Sequence, residues 1–312
     1  MTQLNRRTVL AGAAAASAAT ALTPFAALQA QAQAAGFHRY KVGTIDVTVV
    51  TDGSNTFKFP DGFVINKSRD EVNAAWVAMA QQADQMVVPY SPLAVKTGNR
   101  TVVIDTGRGA AGQFHANLKA AGIDAAQVDA VIISHFHGDH INGLLDKDGK
   151  PAFAKAEILV PAPEFKYFMD DGEMGKQTTD RMKGVFGGAR KVFDALGRKV
   201  TQYDAGKEVA PGITSVATHG HTPGHMSFII ASGNGKVFVQ SDVTNNPLFV
   251  RNPGFHLMFD QDAQAAEATR RKVYDMLVAD KVPVQGFHYP FPALARMEKS
   301  GSGYREIPVT SL

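Results

Sequence analysis

The run His135-Phe136-His137-Gly138-Asp139-His140 decides how this chain is read. It follows directly on Val128–Ser134, a mostly apolar segment of the kind that forms a buried strand. Three imidazoles and a carboxylate packed this closely are hard to place as ordinary surface polarity. In an extended segment, side chains at i and i+2 share a face, so His135 and His137 can grip one ion together. Asp139 and His140 come after the turn at Gly138 and can reach a second ion.

Further ligands must arrive from distant parts of the chain. The candidates are His219, His221, His225, Asp242, His256 and His288. His221 and His225 lie in Thr218-His219-Gly220-His221-Thr222-Pro223-Gly224-His225, between two expected strands. Asp242 follows a strand ending at Gln240, and His288 follows one ending at Phe287. Strand ends are where a sheet scaffold presents working residues. The chain has no cysteine, which rules out disulfides, thiolate ligands and a cysteine nucleophile. Any metal is therefore held by His and carboxylate, a set that suits Zn²⁺, Mn²⁺ or Fe.

Around this core the pattern alternates short strands with helices. Ile45, Val47 and Val49 alternate with polar residues. Ser68 to Met86 reads as a helix, with a Ser cap, Glu71 three residues on, and apolar Val72, Ala75, Trp76 and Met79. Leu93–Lys96 and Thr101–Ile104 read as a hairpin across Thr97-Gly98-Asn99-Arg100. Glu157–Val160, Ile213–Thr218, Ser227–Ala231, Lys236–Gln240 and Val282–Phe287 read as strands. Glu164–Met169, Thr179–Leu196 and Ala263–Ala279 read as helices, the last with Arg270, Arg271 and Lys272 on its surface. Two halves of this kind imply an α/β (α+β) protein layered as an αββα sandwich. With no linker in view, residues 35–312 form one domain.

Residues 1–34 read as a signal peptide. Asn5-Arg6-Arg7-Thr8-Val9-Leu10 resembles a twin-arginine export motif, an Ala-rich apolar stretch follows, and Ala-Gln-Ala triplets fit cleavage after Ala32 or Ala34. A periplasmic or secreted location follows, with no stable membrane association after cleavage. The formal charge is +3, and removing Arg6 and Arg7 from that total leaves +1. Binding nucleic acid needs a clustered basic face, so nucleic acid is excluded as a partner.

The ordered series His135-x-His137-x-Asp139-His140, Gly220-His221-Thr222-Pro223-Gly224-His225, Ser241-Asp242 and Gly286-Phe287-His288 resembles that of metallo-β-lactamase-fold hydrolases, over roughly residues 42–310. Within that family the chain looks most like the methyl parathion hydrolase and lactonase group, through His219–His225, Phe291-Pro292 and Gly303-Tyr304-Arg305-x-x-Pro308-Val309. The resemblance implies two divalent ions, Zn²⁺ the first choice. It puts His135, His137 and His221 on one, Asp139, His140 and His288 on the other, and Asp242 between them. It also implies a homodimer. His225 is read as supporting rather than ligating, and Asp105 as accepting a hydrogen bond from a ligand imidazole. His38, His115 and His256 are read as ordinary residues. Tyr167, Phe168 and Phe186 fall near segments that line the pocket in that group. Arg296 stands where the family often has a further His, and so on a pocket wall.

Two ions a few ångströms apart can share a hydroxide and supply a nucleophile at neutral pH. Asp242 and Asp139 are the carboxylates with catalytic parts: Asp242 fixes the spacing of the ions, and Asp139 handles a proton. An apolar pocket over such a centre favours a small-molecule substrate with an uncharged ester, lactone or phosphotriester. The chain then reads as a metal-dependent hydrolase, a lactonase or arylesterase with phosphotriesterase activity in reach. A β-lactamase fits less well, because zinc β-lactamases generally lack a carboxylate at the place of Asp242. A non-catalytic metal-binding protein predicts a broken ligand set, whereas all seven residues are present.

Overall fold

Alternating apolar residues build two sheets that face each other. The computed structural model describes residues 31–58, 60–79 and 85–312. The leader read at residues 1–34 lies outside these up to residue 30, and residues 31–35 form a helical turn. Strands β1 (Phe37–Val42) and β2 (Ile45–Val50) open the first sheet, and β3 (Ser54–Lys58) begins a separate ribbon closed by β4 (Gln85–Pro89). The first sheet continues with β5 (Leu93–Thr97), β6 (Arg100–Ile104), β7 (Ala130–Ile132), β8 (Glu157–Pro161) and β9 (Thr201–Tyr203). Its first four strands pair antiparallel, and β6 to β9 run parallel. The second sheet runs from β10 (Glu208–Ala210) through β11 (Ile213–Ala217), β12 (Met226–Ser232), β13 (Gly235–Ser241), β14 (Val284–Gly286) and β15 (Leu294–Ser300) to β16 (Gly303–Pro308). Within it, β13 and β14 are the parallel pair.

The helices are α1 (Arg69–Val77), α2 (Phe114–Ala120), α3 (Gly138–Ile141), α4 (Ala162–Met169), α5 (Asp171–Gly175), α6 (Asp180–Ala195), α7 (Pro247–Arg251) and α8 (Ala263–Ala279). Between the sheets, Val47, Val49, Val95, Val102, Ile104 and Ile132 pack against Ile213, Phe228, Ile230, Val237 and Val239. On the outer face of the first sheet, Val131 and Ile133 meet Phe114 and Leu118 of α2 and Phe186, Val192 and Phe193 of α6. On the outer face of the second, Phe238 and Val284 meet Val273, Tyr274 and Leu277 of α8. This is the αββα layering expected from the sequence. Where the parallel strands are covered on both faces, at Val102–Ile104, Ala130–Ile132 and Ile158–Val160, they are apolar.

Two local expectations change. The helix read from Ser68 to Met86 ends at Val77. Its start is as expected: Ser68 accepts from the Glu71 amide, and Glu71 reaches back to the Ser68 amide. From Gln85, Met86 and Val88 turn to one side and pair with the strand carrying Phe57, so the residues read as a last helical turn form β4 instead. Arg270 is not on the surface. It lies on the buried stripe of α8, with Ala266, Val273, Tyr274 and Leu277, and Arg271 takes the exposed side, paired with Glu267. No helix among the described residues is long and apolar enough to cross a membrane.

Candidate metal centre

The carboxyl ends of parallel strands open onto one crevice, the usual place for a site in such sheets. Strand β7 runs through Ile133 and Ser134 into His135. The chain then closes one turn of helix, α3, whose start follows His137. That turn swings Asp139 and His140 away from the first two imidazoles. The loop between β11 and β12 brings His221, the end of β13 brings Asp242, and the end of β14 brings His288. Because β13 and β14 lie side by side, Asp242 and His288 arrive as neighbours.

The functional atoms converge. His137 Nδ1 lies 3.1 Å from His135 Nε2 and 2.9 Å from His221 Nε2. Asp242 Oδ2 is 3.3 Å from His221 Nε2 and 4.0 Å from His135 Nε2. Asp139 Oδ2 is 3.7 Å from His140 Nε2 and 3.4 Å from His288 Nε2. Asp242 also faces this second group, with Oδ1 3.2 Å from His140 Nε2 and Oδ2 3.3 Å from His288 Nε2. Two clusters of metal-binding geometry result, His135, His137, His221 and Asp242 in one and Asp139, His140 and His288 in the other. The donor set fits divalent ions. His140 Nε2 and Asp242 Oδ1 are buried without a hydrogen-bond partner, a costly state for polar atoms unless a cation takes them.

Three of the ligand imidazoles, His140, His221 and His288, are held from behind. Asp105 Oδ2 accepts from His140 Nδ1 at 2.8 Å and from Ser134 Oγ at 2.8 Å, and its Oδ1 accepts from the Ser134 amide at 2.8 Å. Asp260 Oδ1 accepts from His221 Nδ1 at 2.9 Å, while its Oδ2 meets Arg270 Nη2 at 3.2 Å. His288 Nδ1 donates to the Pro89 carbonyl at 2.9 Å. Such partners fix the tautomer, leaving the other ring nitrogen free to ligate. His225 does not ligate: its Nε2 accepts from the Asp242 amide at 3.0 Å, and its Nδ1 donates to the Thr218 carbonyl at 3.0 Å. Glu164, fully buried, ties the two ligand loops together. It accepts from the Phe136 amide (3.0 Å), the Gly224 amide (2.8 Å) and Thr222 Oγ1 (2.9 Å). Asp105 and Ser241 both take left-handed backbone, φ 57° and 48°, a conformation that persists only where the surroundings impose it.

The electrostatics divide the imidazoles. Burial, then neighbouring His140, holds His135 well below its ordinary range, and burial with His221 does the same to His137. Burial also opposes the charged form of His140, but Asp242, Asp105 and Asp139 outweigh it and lift it well above. Asp242 is held well below the usual carboxylate range, because His288 and His140 outweigh its burial. Asp242 is thus held ionised and His135 and His137 neutral, the states in which such groups ligate, whereas His140 and His288, raised against their burial by carboxylate neighbours, must release a proton when a cation takes its place beside Asp242.

Above the centre lies a cavity of about 460 Å³. Its walls are Phe57, Phe63, Met86, Val88, Tyr90, Val185 and Phe259, with Asn142, Arg181 and Asn245 as polar points and His137, Asp139, His221, Asp242 and His288 on the floor. The pocket residues read from sequence lie elsewhere. Phe168 and Phe186 are wholly buried, packed with tilted rings against each other and, through Phe168, against Phe136. Tyr167 packs against Phe168 and Phe186 on the same side. Apolar residues of α4 and α6 face the sheet, and these three are that face. Arg296 sits on β15, exposed, beside Leu277, Val278 and Lys281 in a separate groove. His38, His115 and His256 bond to the Thr310 carbonyl, the Gly143 carbonyl and Glu267, outside the two clusters. His219 also stays outside them. Sequence reading missed Glu164, Asp260 and the ribbon wall. Asp260 lies in an irregular stretch two residues before the helix cap Asp262 and carries no local signal that separates the two, whereas the apolar alternation of Met86 and Val88 does.

Residues 88–283 match the profile of the metallo-beta-lactamase superfamily. The chain is similar to N-acyl homoserine lactonase AttM of Agrobacterium fabrum, 33% identical over 140 residues that cover 43% of this chain and 46% of that protein. It is also similar to an N-acyl homoserine lactonase of a Bacillus species, 26% identical over 156 residues, 50% of this chain and 54% of that one. The chain thus spans about half the length of the curated relatives it matches. Among solved structures, AidC, a dizinc quorum-quenching lactonase, superposes with a TM-score of 0.82 at 24% identity, covering 88% of this chain and 97% of that one. Hydrolase AbOPH superposes with a TM-score of 0.80, also at 24% identity, with the same coverage. At that identity both likenesses speak for the fold.

Proposed function

From the premise that the chain belongs to the metallo-beta-lactamase superfamily, we propose that it hydrolyses lactones and carboxylic esters through a pair of divalent ions, zinc in the first instance. One observation carries the reading: Asp242 faces both ligand clusters at the floor of an apolar-walled cavity. Ions bound there would supply a water nucleophile at neutral pH and polarise the scissile carbonyl. The remaining work falls to the chain. Asp105, Asp260 and the Pro89 carbonyl orient three of the imidazoles. Phe57, Phe63, Met86, Val88 and Phe259 bind the apolar part of the substrate and exclude water from it. Asp139, with a side chain 26% exposed where the other ligating carboxylate is 2% exposed, is open to the cavity and placed to pass a proton to the leaving group. The lactonase relatives support the lactone over a phosphotriester, which stays in the panel because of the likeness to methyl parathion hydrolase read from the sequence.

The test is metal analysis with a hydrolysis panel of an acyl lactone, an aryl ester, a phosphotriester and a cephalosporin, before and after chelation. Two ions per chain and lactone or ester turnover that falls on chelation and returns with Zn²⁺ are expected. Full metal content with no turnover of any ester would make this a metal-binding protein, and dominant cephalosporin turnover would make it a β-lactamase. A leader at residues 1–34 adds a periplasmic or secreted location to the proposal. N-terminal sequencing of the protein from a periplasmic fraction checks it, with a start after Ala32 or Ala34 expected.

A further inference from the structure

Arg181 stands apart from the rest of the cavity. It occupies the first turn of α6, behind the Thr179 cap, whose hydroxyl accepts from the Met182 amide. Val185, one turn further on the same face, also lines the cavity. The helix beneath them is seated by Phe186, Val192 and Phe193 in the core, so Arg181 has a rigid mount. Its guanidinium lies 5.6 Å from the centre of the Phe259 ring. Among the described residues no carboxylate pairs with it, whereas Arg108, Arg190 and Arg270 each hold one. The side chain is exposed at the cavity, and its charge reaches the centre, as one of the lesser influences on His137 after burial and His221.

A guanidinium laid against an aromatic face keeps its donor edge free, and that edge matches the two oxygens of a carboxylate. Arg181 is the one Lys or Arg lining this cavity among the described residues, and the walls above the ligand floor are otherwise mainly apolar. We propose that Arg181 selects substrates whose end remote from the scissile bond carries an anionic oxygen group, a carboxylate before all others. This rests on the hydrolase reading above and narrows it: the reacting ester or lactone is neutral, the middle of the molecule is apolar, and the far end is charged.

The experiment uses the metal-loaded enzyme and three alkyl aryl ethers of equal length, ending in methyl, carboxylate or trimethylammonium. Having no scissile bond, they report binding alone, by titration calorimetry. The wild type is expected to bind the carboxylate about fivefold more tightly than the methyl compound at low salt, the scale of an exposed ion pair worth about 1 kcal/mol. The ammonium compound should bind weakest, and the preference should shrink as salt rises. Arg181→Ala should abolish the difference and Arg181→Glu should reverse it. Equal binding of all three by the wild type, or an order that survives Arg181→Glu, overturns the proposal. The matching esters are assayed in parallel: ether selectivity without turnover of any ester would sink the hydrolase reading and leave the Arg181 assignment standing.

Discussion

Replacing Asp260 by Asn tests whether the supports behind the ligands matter as much as the ligands. The change keeps size and leaves an oxygen that can still accept from His221 Nδ1. It removes the charge, and it turns an amide towards Arg270 Nη2, which now sits 3.2 Å from a carboxylate oxygen. Arg270 is 1% exposed, and its other donors go to the carbonyls of Val243, Pro253 and Phe255 at 2.9–3.2 Å. Asp260→Asn therefore strands a buried cation, which costs about 3–5 kcal/mol of stability. It also weakens the hold on the His221 ring, for which a loss of about 10- to 100-fold in metal affinity is the usual scale. Urea unfolding of the metal-free protein reads the first effect, and competition with a chromophoric chelator reads the second. The double variant Asp260→Asn, Arg270→Met removes both charges and should be less damaging than the sum of the singles, by about 1–3 kcal/mol. Strict additivity, or metal affinity within twofold of wild type in Asp260→Asn, would refute the account of Arg270–Asp260–His221 as one connected unit.

Other consequences can be measured in the same preparations. Asp242→Asn removes the carboxylate common to both clusters, so metal content should fall from two ions to one or fewer; two retained ions would deny it that place. Burial lifts Glu164 from 4.5 to about 7 against the pull of its three donors. A folded-state value above the unfolded one means that this group's contribution is complete below about pH 4.5 and is lost as pH rises through about 7. Glu164→Gln, which cannot ionise, should flatten the dependence of the urea midpoint on pH across that window, and an unaltered profile would count against it. A Cβ at Gly143 would lie 1.9 Å from the Thr106 carbonyl oxygen, while Thr106 bonds the His140 carbonyl through both its amide and its hydroxyl at 2.8 Å. Gly143→Ala should cost about 1–3 kcal/mol and loosen metal binding, and a wild-type melting temperature with intact metal affinity would be inconsistent with that contact.

The layering and the cluster at His135–His140 were legible because both are written locally, whereas it was the resemblance to the metallo-β-lactamase-fold series that picked His221, Asp242 and His288 from six candidates. A buried strand followed at once by His135–His140 is a contiguous signal, and Asp242 and His288 each end an apolar run. The cavity wall was not legible, since it is assembled from Phe57, Met86, Val185 and Phe259 on elements far apart in the chain. Tyr167, Phe168 and Phe186 were misplaced because nearness in sequence to a segment that lines a related pocket does not say which face of a helix a residue takes. The helical spacing of Phe186 with Met182, Ala189 and Phe193 on α6, and of Phe168 with Glu164 on α4, does. Arg270 was misplaced for the opposite reason: three adjacent basic residues suggest a wet surface, yet Ala266, Arg270, Val273, Tyr274 and Leu277 follow the helical period of a buried stripe. The position was in the sequence, but the charge argued against it, and only the carboxylate of Asp260 resolves that conflict.

The β3–β4 ribbon belongs to neither seven-stranded sheet. Successive residues of β4 alternate between two spaces, Met86 and Val88 towards the cavity above the centre and Val87 and Pro89 towards its neighbour. Its recorded tie to the ligand set is one main-chain oxygen, that of Pro89, which any residue at that place would also provide. Lineages carrying this architecture can therefore rewrite the ribbon's side chains, and with them the menu of acceptable molecules, while the chemistry beneath is inherited intact.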